Sequence, residues 1–556
     1  MRRLRRSAAV ASAFRRARTA RALAVAACAA LLVSATPAAD YDIVIRGGRL
    51  LDGAGNPWVH ADVGIKDGRI AKIGRIAAPG AKVIDATGKY VSPGFIDMMD
   101  QSGAVLLKSG AAENKLRMGV TTLIGGEGGT PVPAGRITQY FDDLARRGIA
   151  VNFGTYYSAT QARVEVMGDA AGAPTSAQID QMGGLVDTAM KAGAFGISTA
   201  LMYPPDSFQS TEDLIALAKV SARCGGFYAT HLRDESARLV ESVDEAIRIG
   251  EESGAKVEIF HLKAAYAPGW GTLMPRAIAN IGAARARGLD IAADIYPYTA
   301  AGTGLEGTVP AHVFAQGTDA AIAKLRDPAM RARLKQELAA GSRAGWSSLV
   351  EAAGGWRNIV LANSHRADTA RLHGKNFVEI GAMLDKDPAD AAWDIMLDAL
   401  PERAFALYFV MDEADIDAAI KQPWVGIGSD GAAAEKLGEL DGMALPHPRS
   451  YGTFARVLAE YVRNRQILPL EDAVRKMTSW PAHRLGLADR GVLREGLRAD
   501  VIVFDLDDIR DHADWAAPTR PATGIDHVIV NGVLALEQGR HTGARSGMVL
   551  RHSCDG

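Results

Sequence analysis

The stretch Ser92-Pro93-Gly94-Phe95-Ile96-Asp97-Met98-Met99-Asp100-Gln101 holds a short apolar run that opens on Pro-Gly and closes in polar residues. Apolar on both faces, such a run reads as a buried parallel strand that delivers its last residues to a loop. Seven further runs share the pattern, at 121–125, 151–156, 194–199, 226–231, 256–261, 290–298 and 424–430, with helical periodicity between them. The segment 211–222, for instance, begins Thr-Glu-Asp, which caps a helix and complements its positive end. Eight strand–helix units predict an α/β fold, a TIM (β/α)8 barrel, with the active site at the C-terminal strand ends. The connection from 298 to 424 is too long for one crossover. A helical insertion before the last barrel strand is therefore expected at 308–363, over the barrel mouth.

Outside the barrel the texture changes. Tyr41-Asp42-Ile43-Val44-Ile45 alternates polar and apolar residues, and the run from Val63 to Ile70 reads as a hairpin around Asp67-Gly68. Similar short strands return at 499–504 and 526–532. The reading is a small β-sandwich domain built from both termini (40–92 and 485–556), around a barrel at 93–484.

The first 39 residues contain eight arginines and no acid, followed by an apolar run at 22–35. That run is shorter than the ~20 residues a membrane span needs, and small residues follow it, as in a secretory signal peptide. Export across the inner membrane to the periplasm is expected, by the general or the twin-arginine route, with no stable membrane span in the mature chain. The whole chain has a formal net charge of −1, so loss of the eight leader arginines leaves the remainder near −9. A moderately acidic protein gives no support to nucleic-acid binding. Of three cysteines, Cys28 falls in the leader. Cys224 and Cys554 are too few for a disulfide framework, and Cys224 reads as a small buried hydrophobe.

The polar residues at the strand ends are Glu127 in Gly125-Gly126-Glu127-Gly128-Gly129, His231, His261 with Lys263 beyond it, Tyr296, Tyr298 and Asp430. Two imidazoles and a carboxylate converging on one mouth form a metal site suited to Zn2+, with a position left open for water or a carbonyl. Glu127 is read as the third ligand, the alternative being a group that orients a histidine. Asp430, in Gly428-Ser429-Asp430-Gly431, is read as the general base rather than a turn residue.

The chain resembles the N-acyl-D-amino-acid deacylase (D-aminoacylase-like) branch of the amidohydrolase superfamily over nearly its full mature length. The resemblance rests on Ser92-Pro93-Gly94-Phe95-Ile96-Asp97, Gly119-Val120-Thr121-Thr122, Tyr228-Ala229-Thr230-His231-Leu232-Arg233-Asp234-Glu235, Phe260-His261-Leu262-Lys263, Asp294-Ile295-Tyr296-Pro297-Tyr298, Ile427-Gly428-Ser429-Asp430-Gly431 and His447-Pro448-Arg449. It implies that His231 and His261 bind the tightly held zinc and that Asp430 is the base. The family's cysteine ligand aligns with Gly128, which leaves Glu127 as the nearest ligand. The family's first-strand His-x-His pair, which serves a second, weakly held metal, is replaced by Met99 and Gln101. One Zn2+ per chain is the implied cofactor. The implied partner is a small N-acyl amino acid or related amide, whose carboxylate Lys263 and Arg449 would hold, with Tyr296 donating to the oxyanion or to that carboxylate. Arg163 is a weaker candidate for holding the carboxylate, and a salt bridge to a barrel acid is the other reading of Arg449 and of Lys263.

The leading expectation is a zinc-dependent amide hydrolase that frees an amino acid, of D configuration, from its N-acyl derivative. Alternatives are a cyclic-amide or D-dipeptide hydrolase, and a catalytically silent barrel kept for ligand binding, suggested by Met99, Gln101 and the missing cysteine.

Overall fold

The computed structural model describes residues 39–342, 346–434, 436–437 and 446–554; the expected leader lies outside the described residues up to position 38. The barrel strands are, in order, Phe95–Asp100, Val120–Gly125, Asn152–Thr155, Gly196–Ala200, Phe227–His231, Lys256–Ile259, Ile291–Ile295 and Val425–Ile427. Each pairs in parallel with the next, except that the short strand Tyr157–Ser158 makes the ladder from the third to the fourth. The ring closes where Asp430 N donates to Met99 O (2.9 Å) and Gln101 N to Gly431 O (3.4 Å). The eighth strand is only three residues long, so Asp430 lies in the loop beyond it.

Gly428 makes that closure possible. A Cβ there would stand 2.6 Å from Asp294 Oδ1 and 2.9 Å from Met99 Cβ, so only glycine lets the last strand approach the first and seventh. Ile96, Met98, Met99, Ile124, Tyr156, Phe227 and Phe260 form one buried apolar cluster. Met99 is 1% exposed within it.

Both ends of the chain contribute to one nine-stranded sheet, in which Val501–Phe504 pairs antiparallel with Tyr90–Pro93. The hairpin forms at Asp67-Gly68, where φ values of +50° and +76° give the two-residue turn its twist. Between the seventh and eighth strands the chain is not purely helical. Ala301–Gly304, Phe405–Tyr408 and Ile359–Asn363 make a three-stranded antiparallel sheet, so the insertion extends past the expected 308–363 on both sides. Its helices Thr318–Arg326, Pro328–Ala340 and Pro388–Ala399 pack Ala321, Leu325, Leu334 and Trp393 into a separate small core. No helix among the described residues is long and apolar enough to cross a membrane.

One expectation fails outright. Cys224 is not a lone buried thiol but forms a disulfide with Cys554. The C-terminal tail passes the starts of the third and fourth strands, with Phe153 N donating to Met548 O (2.9 Å) and His552 N to Gly193 O (2.9 Å). This path delivers Cys554 to the start of the fifth strand, a meeting that a separation of 330 residues does not announce.

Candidate active site

A cavity of about 700 Å3 opens among the strand ends, lined among others by Gln101, Glu127, His231, His261, Tyr296 and Asp430. The strand-two loop brings in Glu127. Gly126, at φ +101°, passes so close to Tyr156 O that a Cβ would stand 2.7 Å from it, and the tight turn projects the next side chain into the cavity.

Glu127 Oε1, His231 Nδ1 and His261 Nε2 lie 3.1 Å from one another in all three pairs. A tetrahedral ion with bonds of about 2.1 Å would spread its ligands to about 3.4 Å, so a small outward adjustment accommodates one. Two imidazole nitrogens and one carboxylate oxygen are donors of the kind zinc takes. The triad fits such an ion by chemistry and by spacing.

The far sides of both rings meet a single carboxylate. Glu235 Oε1 is 3.1 Å from His261 Nδ1, and Oε2 is 3.3 Å from His231 Nε2. Lys263 donates to Glu235 Oε1 (2.6 Å) and lies 2.7 Å from His261 Nδ1 and 3.2 Å from His261 O. Burial pushes the Glu235 carboxyl up, but His231, Lys263 and His261 outweigh it and carry it to about 2. In Glu127, burial again raises the carboxyl, and hydrogen bonds from His231 and His261 hold it well below the usual carboxylate range.

His261 and Asp430 share a backbone peculiarity. Their φ values are +36° and +47°, a left-handed conformation that non-glycine residues adopt at a cost of roughly 1–3 kcal/mol. Asp294 secures the first by accepting from His261 N (2.8 Å). Lys115 secures the second. Fully buried, it bonds Asp97 (3.0 Å), Asp100 (2.8 Å), Ser429 Oγ (2.8 Å) and Gly431 O (2.6 Å), tying the first strand to both neighbours of Asp430.

The Asp430 carboxylate accepts from Gln101 Nε2 at Oδ1 (3.1 Å), and its Oδ2 is ion-paired with Arg449 Nη1 (2.8 Å). Burial raises its pKa, and Arg449 opposes that rise. Gln101 Nε2 also donates to Glu127 Oε2 (2.6 Å). Tyr296 is buried beneath the Arg449 guanidinium, which lies 4.8 Å from its ring centroid. Tyr296 OH, Arg449 Nε and Arg449 Nη1 have no hydrogen-bond partner within the protein.

Of the residues singled out from sequence, Glu127, His231, His261, Lys263, Tyr296, Arg449 and Asp430 come together here. Arg163 does not. It is buried in the helix Ala159–Met167 and donates to Ala170 O (2.9 Å) and Gly172 O (3.1 Å), away from the cavity. Its role is to hold the following loop. Arg449 makes the salt bridge held open as its other reading, while Nε stays unpartnered. Sequence reasoning passed over Glu235 and Lys115, and read Gln101 only as a lost ligand. Glu235 was legible as the acid four residues after His231; Lys115 carried no signal, because its partners lie far away in sequence.

The amidohydrolase family model matches residues 82–535. N-acyl-D-glutamate deacylase of Alcaligenes xylosoxydans xylosoxydans is 33% identical over 531 residues, which cover 92% of this chain and 96% of that one. The crystal structure of N-acyl-D-glutamate deacylase from Bordetella bronchiseptica, complexed with zinc and a phosphonate mimic of the tetrahedral intermediate, superposes with a TM-score of 0.76. It is 31% identical and covers 92% of this chain and 99% of its own. A D-aminoacylase structure with a binuclear metal centre, described by one-metal activation and second-metal attenuation, gives 0.77 at 32% identity, covering 92% and 100%.

Proposed function

Because this chain belongs to the amidohydrolase family, among the N-acyl-D-amino-acid deacylases, we propose that it is a zinc-dependent hydrolase that releases a D-amino acid from its N-acyl derivative. The observation that carries the reading is the convergence of Glu127, His231 and His261 on one point, with Asp430 joined to Glu127 through Gln101. His231, His261 and Glu127 would hold the ion. When bound, zinc supplies a Lewis acid that polarises the amide carbonyl and acidifies water. Asp430 takes the proton of the attacking water on a carboxylate oxygen and returns it to the leaving nitrogen. Glu235, ion-paired behind both imidazoles, favours the orientation that turns their ligating nitrogens inward. Tyr296 OH and Arg449 Nε, both buried without a protein partner, offer donors to the substrate carboxylate. The protons of Lys263 are directed to Glu235 and His261, so it supports that carboxylate only from behind. One ion per chain follows from Met99 and Gln101, an apolar core residue and an amide already in use.

The walls favour a neutral side chain on the substrate. Met202, Leu349, Phe405, Tyr408 and Val410 line the cavity, together with five acids and only three lysines or arginines among the described residues. Each of those cations is paired, Lys263 with Glu235, Arg449 with Asp430 and Arg403 with Glu306. A second carboxylate on the substrate would enter a cavity with no cation to spare.

In this reading the barrel over 93–484 carries the chemistry and the sheet from 40–92 and 485–556 supports it. The arginine-rich leader and the Cys224–Cys554 disulfide together favour an exported, periplasmic protein, since disulfides persist in oxidising compartments. Recovery of the protein with reduced cysteines in the cytoplasmic fraction would exclude that location.

The function is tested by assaying purified protein of known zinc content on N-acetyl-D-methionine, its L enantiomer, N-acetyl-D-glutamate and a hydantoin. Expected is turnover of the D-methionine derivative, lost on chelation and restored by zinc. Equal rates on both enantiomers would remove the D assignment, and preference for glutamate would remove the neutral side chain. Faster hydantoin opening would favour the cyclic-amide alternative. Absence of both zinc and turnover would leave the silent barrel.

A further inference from the structure

We infer that Gln101 is a positioning residue for Asp430, and that its neutral amide occupies the place between two carboxylates where a second cation would otherwise sit. The inference rests on the zinc-hydrolase reading and concerns how its base is held.

Two acids, the partly buried Glu127 and the buried Asp430, face the same nitrogen, Gln101 Nε2, at 2.6 Å and 3.1 Å. Both partners are acceptors, so the amide must turn its nitrogen toward them, and its two protons serve one carboxylate each. Carboxylates this close repel, and something positive or donating must lie between them. A metal ion would satisfy the pair by coordination, drawing on the lone pairs that Asp430 needs to accept a proton. The amide satisfies them by hydrogen bonding and adds no charge, so Asp430 keeps lone pairs free to accept a proton.

The backbone fixes this arrangement. Asp430 N donates to Met99 O and Gln101 N to Gly431 O, so the first strand and the Asp430 turn are joined on both sides of the contact. Gln101 thus reaches Asp430 from a rigid frame, while Arg449 holds the other oxygen at 2.8 Å. Met99 offers no replacement ligand, because it is packed at 1% exposure among Ile96, Ile124, Tyr156 and Phe260. Surplus zinc therefore finds neither a second ligand set nor a vacant gap. The enzyme is a one-metal hydrolase by construction, indifferent to excess zinc.

Two measurements decide this. The first is titration of metal-free protein with zinc, followed by assay in a large molar excess of the metal. The wild type should take up one equivalent and keep its rate. The Met99→His/Gln101→His double variant should take up a second equivalent. The second is steady-state kinetics of Gln101→Met, which keeps the length of the side chain and removes the donor. It should retain one zinc and a KM within about twofold of wild type, while kcat falls roughly 10- to 100-fold, as expected for loss of a hydrogen bond to a charged group. Two equivalents in the wild type, inhibition by excess zinc, or an unchanged kcat in Gln101→Met would each overturn the inference. If the wild type is active with zinc under any of those outcomes, only the role of Gln101 falls. A wild type with neither zinc nor turnover takes the function down as well.

Discussion

In the proposed reaction Asp430 accepts a proton from water while Gln101 donates to one of its oxygens and Arg449 is ion-paired with the other. These contacts orient the carboxylate and leave it lone pairs, since each oxygen has two. Asp430→Asn keeps the shape and removes the basicity. It should lower kcat by about 10²–10⁴-fold, the usual contribution of a positioned base, with zinc content unchanged by metal analysis. Glu235 acts one step further out. Its carboxylate lies behind both imidazoles, so Glu235→Gln leaves the ligand set intact but loosens its aim. Competition with a chelator should show zinc held roughly 10- to 100-fold more weakly. If Glu235→Gln binds zinc as tightly as wild type, the carboxylate is not what orients the histidines.

Two of the strands bearing the site end in an irregularity that their neighbours hold in place. The sixth strand stops at Ile259, two residues before His261, and the eighth at Ile427, three before Asp430. In both cases the functional side chain sits on a left-handed residue braced by a buried polar group, Asp294 for one and Lys115 for the other. The helix Leu470–Met477 braces the eighth strand, since Lys476 Nζ donates to Val425 O (3.0 Å) and to Gln422 O. Burial brings this ammonium from 10.5 down to about 8. Between those values the unfolded chain binds a proton that the folded protein has released. The Lys476 contribution to stability therefore rises with pH across the window from about 8 to 10.5. Denaturant midpoints measured over that range should climb in the wild type relative to Lys476→Met, in which this slope is absent. Parallel curves would mean that Lys476 titrates normally in the folded protein.

On the scale of the whole molecule the chain ends secure the barrel. The C-terminal tail crosses the starts of the third and fourth strands and is locked at the fifth by Cys224–Cys554. Closing so long a loop restricts the unfolded chain. Cys224→Ser should destabilise the protein by about 2–5 kcal/mol in chemical denaturation, with little change in kcat, because the bond lies at the far end of the strands from the cavity. The eight strands were legible because buried parallel strands need uninterrupted apolar runs, and His231, His261, Glu127 and Asp430 were legible because a barrel sends strand-end residues to one mouth. Met99 and Gln101 were legible as losses. Only the tertiary structure turned Gln101 into a contact, since its partners lie 26 and 329 residues away. It likewise removed Arg163 from the site, paired Arg449 with Asp430, added a sheet to the insertion and joined the two cysteines. The sequence by itself determined the barrel and the residues at its mouth, through patterns repeated within single elements. The pairing of donors with acceptors depends on distances between elements, and folding alone decided those.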